Sequence, residues 1–220
     1  AMKHLQEDIT KEAFWKKGID LCIQDVEEFL QLTNTKGWRY LIYLEGASCY
    51  LRTLNVKDAP ALANLVYDNK LYWSVFEPLH QEEYYTASVQ REKIRESIML
   101  MQEKREYSFG IFSHERDVLI GSISLYSLKR MPFSSGLIGY SVDQKQIGKG
   151  IASEAVRLVK QFGFNDVQLN RIEAYVSPRN FGSIKVLENN KFVREGLLRK
   201  LLFINGKWED HYMYSALRGE

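Results

Sequence analysis

Apolar residues recur at helical spacing near the start of the chain. They stand at positions i, i+3, i+4, i+7, i+10 and i+11, and are Ile19, Cys22, Ile23, Val26, Phe29 and Leu30. This spacing places them on one face of a helix, and the sequence Asn-Thr-Lys-Gly at 34–37 is typical of a helix end. We therefore expect residues 1–45 to form an N-terminal helical extension. Its apolar face would dock on the rest of the chain or, alternatively, on a second copy in a homodimer.

The pattern then alternates between strands and helices. Short apolar or alternating runs predict strands at 38–45, 48–54, 106–113, 118–128, 137–142, 171–176, 198–205 and 208–216. Helical spacing and capping residues predict helices after residue 55 to about 68, and at 82–104, 150–164 and 181–189. Because hairpins recur between the helices, we expect an α/β fold with a mixed (α+β) sheet rather than an all-parallel one, in a domain over 46–220.

Composition excludes several classes of protein. The chain has 220 residues, 45% of them hydrophobic and 13% aromatic, which is enough for one sizeable core and rules out wholesale disorder. A net charge of +2, from 30 basic and 28 acidic residues, does not suggest direct nucleic-acid binding. The apolar runs fall short of the roughly 20 residues that a membrane span needs. Cys22 and Cys49 are too few for a disulfide scaffold, so we expect reduced thiols and a cytoplasmic protein.

The most informative stretch, at 139–152, runs from a predicted strand through a glycine-containing loop into a predicted helix. Gly148 and Gly150 let the backbone turn so that successive N–H groups face one point, and the helix N-terminus adds partial positive charge. This predicts a site for a phosphate-type anion, to which Lys149 adds charge. Neither common nucleotide motif fits, because Gly150 follows Gly148-Lys149 where a P-loop needs Ser or Thr. Ser153 also stands where the dinucleotide fingerprint needs its third glycine.

The run of Gln146, Gly148, Gly150 and Ala152 in this setting resembles the pyrophosphate-binding loop of the GNAT N-acetyltransferase superfamily. Further segments follow in matching order, with Asn-Phe-Gly-Ser at 180–183 and Lys-Phe-Val-Arg-Glu-Gly at 191–196. Asn-Gly-Lys-Trp-Glu-Asp-His at 205–211 and Phe-Glu-Pro-Leu at 76–79 resemble the Rim-type branch, which acetylates the N-termini of ribosomal proteins. The resemblance covers about 47–217.

The resemblance implies a GNAT fold in which the central strands at 137–142 and 171–176 splay apart to bind acetyl-CoA, with no metal. The pantetheine arm would bind backbone at Ser141 and Val142. Asn180 and Ser183 would be further cofactor-binding residues. The pyrophosphate would meet the N–H groups of Gln146, Ile147, Gly148, Lys149, Gly150, Ile151 and Ala152.

The expected chemistry is attack of an amine on a thioester through a tetrahedral oxyanion. A backbone N–H near Val142 is the candidate donor to that oxygen. Ser183 is the candidate donor to the departing thiolate, or else only part of a helix cap with Asn180 as the N-cap. An α-amino group has a pKa near 8, so a modest base or a water relay is enough to deprotonate it. Glu77 and Glu173 are candidates for that base, and each could equally be a solvated or salt-bridged carboxylate.

These inferences predict acetyl transfer from acetyl-CoA to a primary amine, foremost the N-terminal α-amine of a ribosomal protein. One alternative is a small-amine acceptor, a polyamine or an aminoglycoside. Another is an acyl-CoA-binding module without turnover. The second alternative stays open because Leu201 and Leu202 stand where some relatives have a catalytic glutamate. We expect neither a membrane nor a nucleic-acid partner.

Overall fold

The structure, a computed structural model, describes residues 41–220, and within them eight strands form one mixed sheet in the order β1-β2-β3-β4-β5-β6-β8-β7. The strands are β1 (Tyr43–Glu45), β2 (Cys49–Arg52), β3 (Tyr107–Ser113), β4 (Leu119–Lys129), β5 (Ser135–Val142), β6 (Arg171–Val176), β7 (Val193–Ile204) and β8 (Lys207–Leu217). Neighbouring strands pair antiparallel except β5 and β6, which are parallel. This confirms the expected mixed sheet.

The predicted helical extension, with its apolar face from Ile19 to Leu30, lies outside the described residues. The placement of the domain boundary between 45 and 46 stays a prediction. The described sheet already includes β1 (Tyr43–Glu45), which pairs with β2.

Four α-helices lie within residues 41–220: α1 (Ala59–Trp73), α2 (Ala87–Gln102), α3 (Ile151–Asn165) and α4 (Phe181–Asn189). A capping box precedes α1, because the Asn55 side chain accepts from the Lys57 N–H and the Asp58 carboxylate accepts from the Asn55 N–H. The predicted cap is therefore present. Pro60 stands at the start of α1, where its missing N–H removes no helical hydrogen bond. No helix in this part of the chain is both long and apolar enough to cross a bilayer.

Two hydrophobic clusters cover the two faces of the sheet. On one face α3 buries Val156 and Val159 against sheet residues such as Ile123 and Ile172. On the other face α1 and α2 cover the β2–β4 end of the sheet, where Leu62 and Ile94 belong to the same cluster as the aromatic residues of β2 and β3. The β4 residues that face α3 are buried, whereas Ser122, Ser124 and Tyr126 alternate with them and are only half-buried. The sheet therefore keeps a polar strip beside α1 and α2.

The parallel pairing of β5 with β6 is short. Its register runs from Ser135↔Arg171 to Leu137↔Glu173, whereas β5 continues to Val142 and β6 to Val176. Each strand keeps its outer neighbour over this distance, β4 for β5 and β8 for β6. The two central strands therefore separate over their C-terminal halves.

Candidate active site

The separation of β5 and β6 creates the strand cleft, a cavity of about 410 Å³. It is lined by the end of α1 and the loop after it, the end of β5, the loop at 146–150, the first turn of α3, and α4. The Asp143 N–H donates to the Ile120 carbonyl at 2.8 Å. Because hydrogen-bonded and non-hydrogen-bonded pairs alternate in an antiparallel ladder, the backbone groups of Tyr140 and Val142 point away from β4. They face the cleft, where β6 no longer reaches them.

Two side chains of α1 fix the end of β5. The Trp73 indole Nε1 donates to the Val142 carbonyl at 3.1 Å, and the buried Asn69 Oδ1 accepts from the Gln144 N–H at 2.9 Å. The Val142 carbonyl is therefore engaged, and its N–H is the group turned to the cleft. This corrects one expectation: by the same alternation the backbone of Ser141 points to β4, so Ser141 offers the cleft only its hydroxyl.

The glycine loop has the conformation that the sequence predicts. Gly148 and Gly150 both have φ of +79°, a region that side chains disfavour, and Gly150 is the N-cap of α3. The backbone N–H groups of 148–153 donate to no residue that the structure describes. A Cβ at either glycine would meet nothing within 4 Å. Donors without partners beside open space fit a pyrophosphate at the start of α3.

The predicted loop residues do not all face the strand cleft. Gln146, Ile147, Gly148, Gly150, Ile151 and Ala152 line it. Lys149 is not among the lining residues, and its Nζ donates to Gln146 Oε1 at 2.9 Å. The positive charge of Lys149 therefore lies beside the loop rather than within the cleft.

Asn180 and Ser183 meet at the start of α4, and both line the strand cleft. The Asn180 Oδ1 accepts from the Ser183 N–H at 3.0 Å, so Asn180 is the N-cap. This cap uses the backbone of Ser183 and leaves its hydroxyl without a hydrogen bond to any described residue. The Tyr140 hydroxyl donates to the Ser183 carbonyl at 3.2 Å, and burial raises the pKa of Tyr140. Ser183 can therefore cap the helix through its N–H and donate through Oγ at once.

Glu77 lies in the loop between α1 and α2, where its Oε1 accepts from the Ser141 hydroxyl at 2.5 Å. Water reaches the residue, but the protein around its carboxylate removes part of the hydration and raises the pKa of Glu77. The hydrogen bond from Ser141 opposes that rise. Such a carboxylate is a better proton acceptor than an ordinary one.

A second cavity of about 310 Å³, here called the serine groove, follows the polar strip of β4 and β5. It is lined by Glu77, Glu106, Ser122, Ser124, Tyr126, Gly139, Tyr140 and Ser141. Glu77, Tyr140 and Ser141 also line the strand cleft, so the two cavities share one wall. A reactant in each cavity would meet its counterpart at these three residues.

The structure does not bring Glu173 to either cavity. Its Oε1 accepts from Arg171 Nε at 2.6 Å, and Arg171 also holds Glu195. The salt-bridged alternative therefore describes Glu173. Leu202, the residue in place of a possible glutamate, pairs with Glu209 in the β7–β8 hairpin and is largely exposed.

Sequence reasoning missed the contact that holds the Glu77 loop in place. Asn205, in the β7–β8 turn, accepts from the Leu79 N–H at 2.8 Å and donates to the Ser74 carbonyl at 2.7 Å. Local sequence patterns do not predict a contact between residues more than 120 positions apart in the sequence. Trp73 was missed because the predicted helix stops near 68, five residues too early.

In residues 41–220 no group of three or more His, Cys, Asp or Glu side chains is placed to hold a metal ion. Cys49 is a buried thiol, and burial raises its pKa to about 12, so it is neutral and a poor nucleophile at pH 7.

Comparison with known proteins agrees with this geometry. A family model described as an acetyltransferase (GNAT) domain matches residues 49–193. The chain is 42% identical over 174 residues to the probable N-acetyltransferase YjcK of Bacillus subtilis, covering 79% of this chain and 96% of that protein.

Two solved structures extend the comparison. The ribosomal-protein-S5-alanine acetyltransferase of Vibrio fischeri is 31% identical with a TM-score of 0.78, over 81% of this chain and 98% of that one. Mycobacterium smegmatis RimJ, solved with CoA-disulfide, is 25% identical with a TM-score of 0.75, over 81% and 87% of the two chains.

Proposed function

The chain belongs to the GNAT acetyltransferase family, and we propose that it transfers an acetyl group from acetyl-CoA to the N-terminal α-amine of a protein. The observation that carries the proposal is the wall of Glu77, Tyr140 and Ser141 between the strand cleft and the serine groove. A thioester entering along the cleft and an amine entering along the groove would meet there. Both could then be bound at the same time, and the acetyl group could pass between them directly.

Acetyl-CoA supplies the activated acyl group, and the chain supplies the surroundings of its reacting atoms. The N–H groups at the start of α3 would bind the pyrophosphate. The Val142 N–H faces the cleft and would donate to the carbonyl oxygen as negative charge develops on it. Ser183 Oγ would donate a hydrogen bond to the departing sulfur. A serine hydroxyl is too weak an acid to act as a strong proton donor, so Ser183 would assist either by this hydrogen bond or by relaying a proton from water.

Glu77 is the proposed base. It lies at the shared wall and its pKa is raised, so it can take a proton from an amine held in the serine groove. An α-amine, with a pKa near 8, gives up that proton more readily than a lysine side chain with a pKa near 10.4. This difference favours a protein N-terminus over an internal lysine as acceptor. The proposed roles of Glu77 and Ser183 also weigh against a module that only binds acyl-CoA.

The relatives support the choice of acceptor. The Vibrio fischeri structure is that of a ribosomal-protein-alanine acetyltransferase, and it covers most of this chain. Ribosomal proteins and acetyl-CoA share the cytoplasm, so the proposal places the protein there. YjcK, which is more similar in sequence, has no stated acceptor in its name.

The proposal is tested by the release of CoA thiol with a panel of acceptors. The panel holds peptides with N-terminal alanine or serine, the same peptides N-acetylated, a polyamine and an aminoglycoside. We expect release with the free peptides, none with the blocked ones, and a loss of about 100-fold or more in Glu77→Gln. Glu83→Gln, an exposed glutamate in the same loop, is the matched control and should keep full activity. Release only with small amines would refute the acceptor, and no release at all would favour a binding module.

A further inference from the structure

Three serine hydroxyls at or beside the serine groove donate their hydrogens to other described residues. The Ser108 hydroxyl donates to Glu106 Oε1 at 2.5 Å, so in its 2.7 Å contact with Ser124 the donor must be Ser124, because a hydroxyl has one hydrogen. At the other end of the groove Ser141 donates to Glu77. The Ser108 and Ser141 hydrogens therefore point toward carboxylates and the Ser124 hydrogen points toward Ser108, so none of the three is free to donate to a ligand.

Within residues 41–220, no cation pairs with the acidic side chains of the groove. Glu77 and Glu106 both line it, and neither forms an ion pair with any residue in the described part of the chain. None of the described residues that line the groove is a Lys, Arg or His. Glu173 and Glu195 differ, since each forms an ion pair with Arg171. A recess whose described lining holds two carboxylates and no cation is complementary to a ligand that carries positive charge.

The two carboxylates lie at opposite ends of the groove. Glu77 is bound by Ser141 on β5, and Glu106 is bound by Ser108 on β3. The partners of these serines on β4 are two residues apart, and two strand spacings separate β3 from β5. Strand geometry then puts the two hydrogen-bonded serines roughly 12 Å apart. A spacing of this size between the two serines favours a separate cationic group for each carboxylate.

We propose that Glu106 determines specificity by binding a second cationic group of the acceptor, while Glu77 meets the amine that is acetylated. The inference rests on the proposed transfer and adds the acceptor's chemical class: two cations at a fixed spacing. An extended peptide advances about 3.3–3.6 Å per residue, so a lysine or arginine at its second or third position reaches this far. A linear polyamine has the same chemistry without a peptide backbone.

Two peptides and one polyamine test the inference. The peptides Ala-Ser-Lys-Ala and Ala-Ser-Gln-Ala differ only in the second cation, and spermidine lacks the backbone. We expect the wild type to favour the lysine peptide about tenfold in kcat/KM, the order of one charge-assisted contact that is partly open to water. Glu106→Gln keeps the hydrogen bond from Ser108 but not the charge, and should bring the ratio close to one. Glu115→Gln, an exposed glutamate in the β3–β4 turn, makes the same change in net charge and should keep the ratio.

The outcomes separate this inference from the proposed function. A wild type that acetylates both peptides equally well, or an equal loss on both in Glu106→Gln, overturns the inference and leaves N-terminal transfer intact. Acetylation of spermidine alone, with the same dependence on Glu106, supports the inference and refutes the protein acceptor. Calorimetry of the lysine peptide without acetyl-CoA gives a readout independent of turnover. Equal Kd values for the wild type and Glu106→Gln would overturn the inference.

Discussion

Glu154 on α3 fastens the β1–β2 turn to the helix that begins at the glycine loop. Its carboxylate accepts from the Ala47 and Ser48 N–H groups, each at 2.7 Å, from the Ser48 hydroxyl, and from Arg157 at 3.3 Å. These donors lower the pKa of Glu154 to about 2 from an ordinary value of 4.5, although partial burial opposes the shift. The perturbation to make is Glu154→Gln, which removes the charge and keeps one acceptor.

The magnitude follows from linkage between protonation and folding. A depression from 4.5 to about 2 corresponds to about 3 kcal/mol of folding free energy when the carboxylate is ionised. The side chain is 13% exposed, so water screens part of this, and we expect Glu154→Gln to lose about 2 kcal/mol at pH 7. Because the folded pKa is depressed, the stabilisation is complete above the unfolded pKa of 4.5. It fades as the pH falls toward 2.

The assay is urea unfolding of the wild type and Glu154→Gln at pH 7, 5, 4 and 3, with Glu115→Gln as an exposed control. The difference in free energy of unfolding between the wild type and Glu154→Gln should be constant from pH 7 to 5. It should shrink by about 1 kcal/mol or more between pH 5 and 3. A difference that does not change with pH would show that the side chain acts by packing alone. A difference below about 0.5 kcal/mol at pH 7, the range of an ordinary surface substitution, would refute the anchoring role.

The remaining predictions concern the strand cleft and the proposed base. Ser183→Ala should lower kcat about 10- to 100-fold without lowering Tm, because the α4 cap uses the Ser183 N–H; an unchanged kcat would remove Ser183 from the chemistry. Gly150→Ala should weaken acetyl-CoA binding several-fold in calorimetry through its left-handed backbone, whereas Gly219→Ala, equally strained at φ of +93°, should not. At saturating substrates kcat should fall as the pH drops through the raised pKa of Glu77, with a midpoint above 4.5, and Glu77→Gln should abolish this limb.

Local signals predicted the elements that surround the site. Strand β6 (Arg171–Val176) and helix α4 (Phe181–Asn189) have the predicted bounds, because Asn180 caps α4 and the apolar spacing of both segments is clear. The edges of other elements were less predictable. Strand β7 begins at Val193, whereas the sequence predicted a start at 198. The first five residues were missed because they are exposed and show no apolar alternation.

The site itself was predicted in outline only. The resemblance to GNAT proteins implied the splayed strands, and the pairing of β5 with β6 confirms them. The glycine loop could be predicted because left-handed backbone favours glycine, and glycines stand at both such positions, Gly148 and Gly150. Contacts such as Trp73 with Val142, or Arg171 with Glu173, depend on which side chains the fold brings together, and spacing along the chain does not encode them.

The wall shared by the strand cleft and the serine groove has a consequence for steady-state kinetics. The groove follows the face of β4 that is turned away from α3, whereas the cleft is bordered by the first turn of α3. If acetyl-CoA enters the cleft and the amine enters the groove, as proposed, each reactant has its own entrance, and neither has to leave before the other arrives. Double-reciprocal plots of initial rate against the concentration of one substrate, at several fixed concentrations of the other, should then give intersecting lines. A parallel set of lines, the signature of an acetylated enzyme intermediate, has no structural basis in such an arrangement.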